Sequence, residues 1–361
     1  MKTVRLFGFE NIPEGYQTNT ALSIHGLAYS DFQPLMIGTT TGQPLTPRIV
    51  NNKIVLGKAA LVPTGIEGAV IWPMSTFING TSPIKVIIGM RIERPIASGV
   101  INVIDWRSTT NPATAVLGAL LTAAQVPVPS TGYYEFVLDT VARTVTIFKD
   151  DVQLSTGAML ASMTQANLAS IYLSMGRCGT NWNSTGSGVV TDCFIVSDIY
   201  SITDDGAGGS SNIERLGPIS VKRLPVISAV GAGYTPSDGS SVPSVLNVGR
   251  EDTSSLNTPN ALTPMDGTPL RLKFDASQIG VLDIAAVDAK IAPMKTSDST
   301  DPNFSAKFSY AGNDSASRSA TFAATAPPVN LAAGTLLTFP GGDKLRVSSL
   351  SNLELVLTPT S

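Results

Sequence analysis

The sequence predicts an all-β chain, a sandwich followed by a second, smaller β-sandwich domain, and three observations carry that prediction. The first is the stretch Gly132–Gly157, GYYEFVLDTVARTVTIFKDDVQLSTG, which reads as two alternating strands, a second tight turn and a third strand. Tyr134, Phe136 and Leu138 fall on one face of the first strand, and Val145 and Ile147 on one face of the second. Period-two alternation of this kind marks a half-buried antiparallel sheet. The second is composition: 43% of residues are apolar but only 14% are charged, against roughly 25% in an average soluble domain. Gly, Pro, Ser and Thr fill the difference, as in a turn-rich sandwich or a protein packed against neighbours, since burying charge is costly. The third is the scarcity of helical periodicity. The best helical stretch is Ala158–Ala169, with Met159, Leu160, Met163 and Leu168.

Taken in order, the predicted strands of the first half are Lys2–Phe9, Ala21–Ala28, Arg48–Leu56, Ala69–Trp72, Ile84–Glu93 and Gly99–Trp106. The hairpin follows, then Ser170–Met175 and Thr191–Ser201. Ile84–Glu93, IKVIIGMRIE, is apolar almost throughout, as expected of a central strand. Composition shifts after Ile202: TDDGAGGSSN is Gly/Ser-rich and reads as a linker. Beyond it the strands are Pro269–Phe274, Gly280–Ala292, Asn303–Tyr310, Ser317–Ala324, Thr335–Phe339, Lys344–Val347 and Leu353–Leu357. At 361 residues the chain accommodates two domains. They are expected at 1–217, with an N-terminal arm, and 218–361. The seam is open between 205 and 245, and Arg215–Ser228 could belong to either side.

The order of these pieces resembles the concanavalin A-like (laminin G-like) jelly roll. The residues that carry the resemblance are YYEFVLD, a turn, TVTIFKD, a tight turn at Asp150–Asp151 and the closing strand DCFIVSDIYSITDDG. That turn often carries Asp-Gly in the family; Asp tolerates left-handed backbone well enough to keep the hairpin. A narrower resemblance is to bacteriophage virion proteins with this domain, on Asp198-Ile199-Tyr200, the loop Asp204–Gly209 and LGPISVKRLP at Leu216–Pro225, with a second β domain after it. It implies a non-enzymatic virion component, made in the host cytoplasm and resident in the particle as capsid decoration, neck or tail-associated protein. Its partners would be other virion proteins and copies of itself in a homo-oligomer. Phe7–Tyr16, with Phe7, Phe9 and Tyr16, is the candidate docking arm.

Charge and hydropathy exclude other classes. Net charge is −3, and the densest cationic cluster is Lys222 with Arg223, too little for a phosphate backbone, so no nucleic-acid partner is expected. The first residues lack the apolar core of a signal peptide. The weakly polar run Ala113–Val128 is shorter than the roughly 20 residues that span a bilayer, so no membrane insertion is expected. The cysteines, Cys178 and Cys193, read as small buried thiols, with a cross-strand pair as the other reading.

Catalytic chemistry finds little to stand on. The single histidine, His25, has Ser23 near it but no Gly-x-Ser-x-Gly elbow accompanies the pair. Glycoside hydrolysis needs two carboxylates about 5–5.5 Å apart for retention, or farther for inversion. Glu135 and Asp139 share a strand face but lie roughly 13–14 Å apart; they and the pair Asp192 and Asp198 read as solvated face residues. Asp298, Asp301 and Asn303 have a spacing a Ca²⁺ loop could use, but turn chemistry explains them equally well. No cofactor and no metal is expected. A lectin-like site would stack a sugar on an aromatic flanked by amides. Trp182 between Asn181 and Asn183 offers that as the candidate contact for a host surface glycan or a protein partner, with Trp106 the terminus of a core strand. The alternative function is therefore a carbohydrate-binding adhesin or receptor-binding protein of the virion.

Overall fold

The structure is a computed structural model. It describes residues 2–8, 14–16, 33–37, 48–58, 67–73, 85–93, 101–108, 115–119, 131–139, 141–158, 171–178, 191–204, 213–231, 234–236, 241–247, 262–264, 268–277, 279, 283–287, 289–291, 303–310, 313–315, 317–321, 331–332, 335–336, 345–346, 350 and 352–360. The chain is an all-β sandwich protein and divides into two compact units, one built mainly from Leu27–Val221 and the other from Lys222–Ser361.

The first unit contains β1 (Lys2–Phe7), β2 (Gly15–Tyr16), β3 (Gln33–Ile37), β4 (Arg48–Val50), β5 (Lys53–Lys58), β6 (Glu67–Pro73) and β7 (Lys85–Glu93). These are followed by β8 (Ile101–Ser108), β9 (Ala115–Ala119), β10 (Gly132–Asp139), β11 (Thr144–Lys149), β12 (Val152–Ala158), β13 (Ile171–Cys178) and β14 (Thr191–Asp204). One nine-stranded sheet runs β12-β11-β10-β7-β14-β5-β4-β2, with β1 on β14; a five-stranded sheet runs β3-β6-β13-β8-β9. The hairpin expected from alternation is present, with Phe136 opposite Ile147 and Leu138 opposite Val145. Tyr134, Phe136, Leu138, Val145 and Ile147 are all buried. Asp150 and Asp151 close its second turn at φ 47 and 68, so the Asp-Asp pair adopts the double left-handed conformation that a two-residue hairpin loop demands. β7, the expected central strand, lies between β10 and β14 and is buried on both faces along most of its length.

The second unit holds β15 (Val226–Val230), β16 (Tyr234–Pro236), α1 (Val242–Asn247), β17 (Leu262–Pro264), β18 (Leu270–Phe274), β19 (Asp283–Ile284), β20 (Ala286–Val287) and β21 (Lys290–Ile291). It continues with β22 (Asn303–Tyr310), β23 (Asn313–Asp314), β24 (Arg318–Thr321), β25 (Leu331–Ala332), β26 (Thr335–Leu336), β27 (Leu345–Arg346) and β28 (Leu353–Thr360). Its main sheet runs β15-β18-β28-β22-β23, with β24 on β22. Leu270, Leu272, Leu353, Leu355, Ala306 and Phe308 form the core face, and Val287, Ile284 and Leu246 close over it. The second layer is thus made of short ladders and a helix.

Two sequence expectations change here. Gly280–Ala292 is not one long strand: β19, β20 and β21 each pair with a different two-residue partner, β27, β26 and β25. The region expected to open strand-like at Val242 opens with α1. Ser241 caps it, its Oγ accepting from Ser244 N at 3.3 Å, and Pro243 sits in the first turn, where its missing N–H is harmless. Of the expected helix Ala158–Ala169 only Ala158 is described, as the last residue of β12, and the expected strand Ala21–Ala28 lies outside the described residues.

Candidate functional site: a carboxylate latch beneath a strap

The outer face of the nine-stranded sheet is built in rows, because the antiparallel register lines up every second residue. One row is Phe148, Glu135, Gly89 and Tyr200, across β11, β10, β7 and β14. The next is Tyr133, Arg91 and Ser197. Glu135 therefore does sit opposite the core face, as alternation requires, but it is not solvated: it is 1% exposed. Residues 213–221, a strap without regular secondary structure, provide its partners.

Glu135 Oε1 accepts from Gly217 N at 2.9 Å and from the Tyr200 hydroxyl, and Oε2 accepts from Arg215 Nη1. The Tyr200 hydroxyl in turn accepts from Leu216 N at 3.1 Å. Arg215 also reaches Asp151 Oδ1 at 3.2 Å, and its guanidinium lies 3.7 Å over the Phe148 ring. Gly217 adopts φ +73, and a β-carbon there would lie 3.1 Å from the Asp151 carboxylate, so glycine fits the bend for both reasons. Gly89 makes room for the phenol: a β-carbon would stand 2.1 Å from Tyr200 Cε1.

The neighbouring row supplies a second clasp. A bulge between Ser197 and Tyr200 of β14 puts Asp198 at φ 49, and bulges commonly re-aim a side chain in this way. Its Oδ1 accepts from Val221 N at 3.0 Å and Ser220 Oγ at 3.5 Å. Its Oδ2 accepts from Ser197 Oγ at 3.2 Å and Arg91 Nε at 3.4 Å. Its backbone carbonyl accepts from the Tyr133 hydroxyl at 2.9 Å, while Arg91 lies 5.8 Å over the Tyr133 ring. Burial pushes the Tyr133 and Tyr200 phenols far above their ordinary value of 10.0, chiefly by desolvation, with the Glu135 charge adding to both. Both remain hydroxyl donors.

Chemically this is a fastening. Glu135 has both oxygens engaged by donors that the fold itself supplies, and a carboxylate in that state has no free oxygen facing a substrate. Glu135 and Asp198 thus correct the expectation of solvated face residues, because the strap covers their face. Asp139 instead closes the β10–β11 turn, accepting from Val141 N and Ala142 N at 3.0 and 2.8 Å, and Asp192 lies on β14 opposite Gly57.

Other expected residues fall elsewhere. Trp106 is on β8 opposite Leu173. Phe7 ends β1 and Tyr16 ends β2, where it pairs with Arg48. Cys178 is on β13 and Cys193 on β14, strands of different sheets. Phe9, His25, Asn181, Trp182, Asn183, Asp298 and Asp301 lie outside the described residues. Among the described residues no three His, Cys, Asp or Glu cluster as a metal site, and no helix is long and apolar enough to cross a membrane.

No protein-family model and no curated protein matches the chain. Among solved structures it is similar to a sialidase, with 10% identity over 44% of this chain and 15% of that one, at a TM-score of 0.25. It is similar to domain 4 of AbnA, a GH43 extracellular arabinanase from Geobacillus stearothermophilus in complex with arabinotriose, at 8% identity over 56% and 93% of the two chains and a TM-score of 0.26. A third similarity is to the N-terminal CBM22-1-CBM22-2 tandem domain of Paenibacillus barcinonensis Xyn10C, at 9% identity over 100% and 91% and a TM-score of 0.19. These superpositions are too loose to align the latch with any residue of those proteins, and they assign it no activity.

Proposed function

We propose that the chain is a non-enzymatic structural component of a bacteriophage particle, placed as capsid decoration, neck or tail-associated protein and working through assembly with other virion proteins. The latch carries this reading. The two pieces of the virion-like resemblance, Asp198–Tyr200 and Leu216–Pro225, are the two sides of one fastening. Asp198 and Tyr200 accept the backbone N–H groups of Val221 and Leu216. The best-enclosed acidic group among the described residues therefore holds the segment that leaves the sandwich. A low-charge surface suits a protein whose work is burial against neighbours.

Mass spectrometry of purified particles from the source, with copy number scaled to the major capsid protein, tests the proposal. A stoichiometric copy number is the expected result; absence from the particle overturns it. The alternative, a reader of host surface glycans through Asn181, Trp182 and Asn183, has its own test. Glycan-array binding that Trp182→Ala abolishes would establish it, and silence across the array would remove it.

A further inference from the structure

Apart from β1, which pairs with β14 alone, the nine-stranded sheet ends on two strands that are unlike. One is β2, two residues long, and so short a strand offers little template for pairing. The other is β12, seven residues of sequence VQLSTGA with no charge and no proline, which are the usual protections of an exposed edge. Most of it is exposed, Val152 at 66% and Leu154 at 38%. Side-chain hydrogen bonds hold it extended: Thr156 Oγ1 meets Thr146 Oγ1 at 3.1 Å and accepts from Gln153 Nε2 at 3.1 Å. A bulge against β11 displaces Leu154 and leaves Ser155–Ala158 in regular register with Thr144–Ile147.

We propose that β12 is the seam of a two-fold homodimer, in which two copies of the strand pair antiparallel and join their nine-stranded sheets. Four observations favour a second copy as the occupant. The strand is large in its first half (Val152, Gln153, Leu154) and small in its second (Ser155, Thr156, Gly157, Ala158). Antiparallel pairing of two copies about Ser155 therefore sets large against small, Val152 opposite Ala158 and Gln153 opposite Gly157. Ser155 Oγ is buried within the chain, on the same side as its neighbour Ile147 of the core, so the residue on the axis projects nothing that would hold two copies apart. The exposed large hydrophobics described in the first unit are Val141, Val152 and Leu154. The pairing carries Val152 of one copy to the end of the ladder where the Val141 turn of the other lies. The same operation brings the acidic turn Asp150–Asp151 toward the end where Arg143 precedes β11 of the other copy, so opposite charges approach. Such an interface is isologous and closes on itself, and its affinity comes from backbone hydrogen bonds added along an edge.

The test uses the full chain. Sedimentation across the micromolar range is expected to show a dimer that dissociates on dilution. Val152→Lys with Leu154→Lys, both at exposed positions, should leave the circular dichroism unchanged and raise the dimer dissociation constant about tenfold or more, since a lysine on an edge strand must lose water when a second edge pairs with it, and the two lysines replacing Leu154 would meet on the diagonal across the axis. Hydrogen exchange should show concentration-dependent protection of amides within 152–158. A chain that stays monomeric overturns the proposal, as does a dimer indifferent to both lysines. A monomer whose β12 amides become protected only inside the particle also overturns it and assigns the edge to a foreign strand. Pairing is a property of the isolated chain, so its failure is distinguishable from failure of the particle assay.

Discussion

Glu135 and Glu354 are both strand glutamates on the outer face of a sheet, and both pair with an arginine, yet they do different work. Glu354 on β28 is 23% exposed, with Arg271 at 2.9 Å and Lys273 at 3.7 Å, both on the adjacent β18. Glu135 on β10 is 1% exposed, and its arginine comes from the strap, 80 residues along the chain. At Glu354 the second unit leaves its outer face partly open to water, though Val356 two residues on is buried; the first covers its own with a segment of backbone that has no ladder to satisfy it. A strap so placed needs acceptors for its N–H groups. Glu135, Tyr200 and Asp198 supply them, and that requirement explains why charge is buried there at all.

The comparison is tested most severely at Glu135. Replacing it with Ala leaves Arg215 without its buried partner and strands Gly217 N and the Tyr200 hydroxyl. Breaking a buried, hydrogen-bonded pair in this way costs about 3–5 kcal/mol. All three tryptophans, Trp72, Trp106 and Trp182, fall within the first unit's stretch, so tryptophan fluorescence during urea unfolding reads the effect. A loss below about 1 kcal/mol would mean that water already reaches the carboxylate, as at an ordinary surface pair. Next in size is Gly89→Ala. Its new methyl would collide with the ring of Tyr200, and overpacking of this kind costs typically 1–3 kcal/mol. Pairing it with Tyr200→Ala should recover much of the loss if the clash with the ring is the cause.

Tyr200→Phe is a gentler probe and carries a pH signature. It removes one donor to Glu135 and one acceptor for Leu216 N, a loss of about 1–3 kcal/mol. Both buried phenols are raised, so the folded state keeps protons that the unfolded chain releases above the ordinary value of 10.0. Their contribution is fully present below that pH and is lost as pH rises beyond it. The urea midpoint of the wild type should fall between about pH 10 and pH 11, and that of Tyr200→Phe should fall less steeply. Equal slopes would show that the Tyr200 ring sees solvent.

How much of this could be read beforehand depends on the distance between partners. The hairpin was legible because its information is local: Tyr134, Phe136 and Leu138 alternate, and Asp150–Asp151 can adopt the turn. Which face Glu135 occupies was equally legible. What covers that face was not, because periodicity describes one strand and the cover arrives from residues 213–221. A signal did exist. IKVIIGMRIE is apolar on both faces, so a layer had to lie over each side of β7, and YYEFVLD beside it carries Tyr133 and Val137 on the same side as Glu135. The segmentation of Gly280–Ala292 was hidden for a different reason. Two-residue ladders leave no period to detect, and their partners are scattered through the following 60 residues.

The smallest expected effect completes the contrast between the two glutamates. Arg271 is 49% exposed, and Glu354 also has Lys273 beside it. Removing the guanidinium therefore strands no buried charge. A double-mutant cycle of Arg271→Ala and Glu354→Ala, read from the part of the circular dichroism melt that Glu135→Ala leaves unmoved, should give a coupling of about 0.2–1 kcal/mol, shrinking with added salt. The same cycle on Arg215 and Glu135 should be several times larger and nearly indifferent to salt, because no counterion reaches a carboxylate closed under the strap. If the two cycles returned similar energies and similar salt dependence, burial would not be what separates the sheets. Two cross-strand cations would then hold Glu354 as firmly as the strap holds Glu135, and the latch would lose its claim to be the fastening of the first unit.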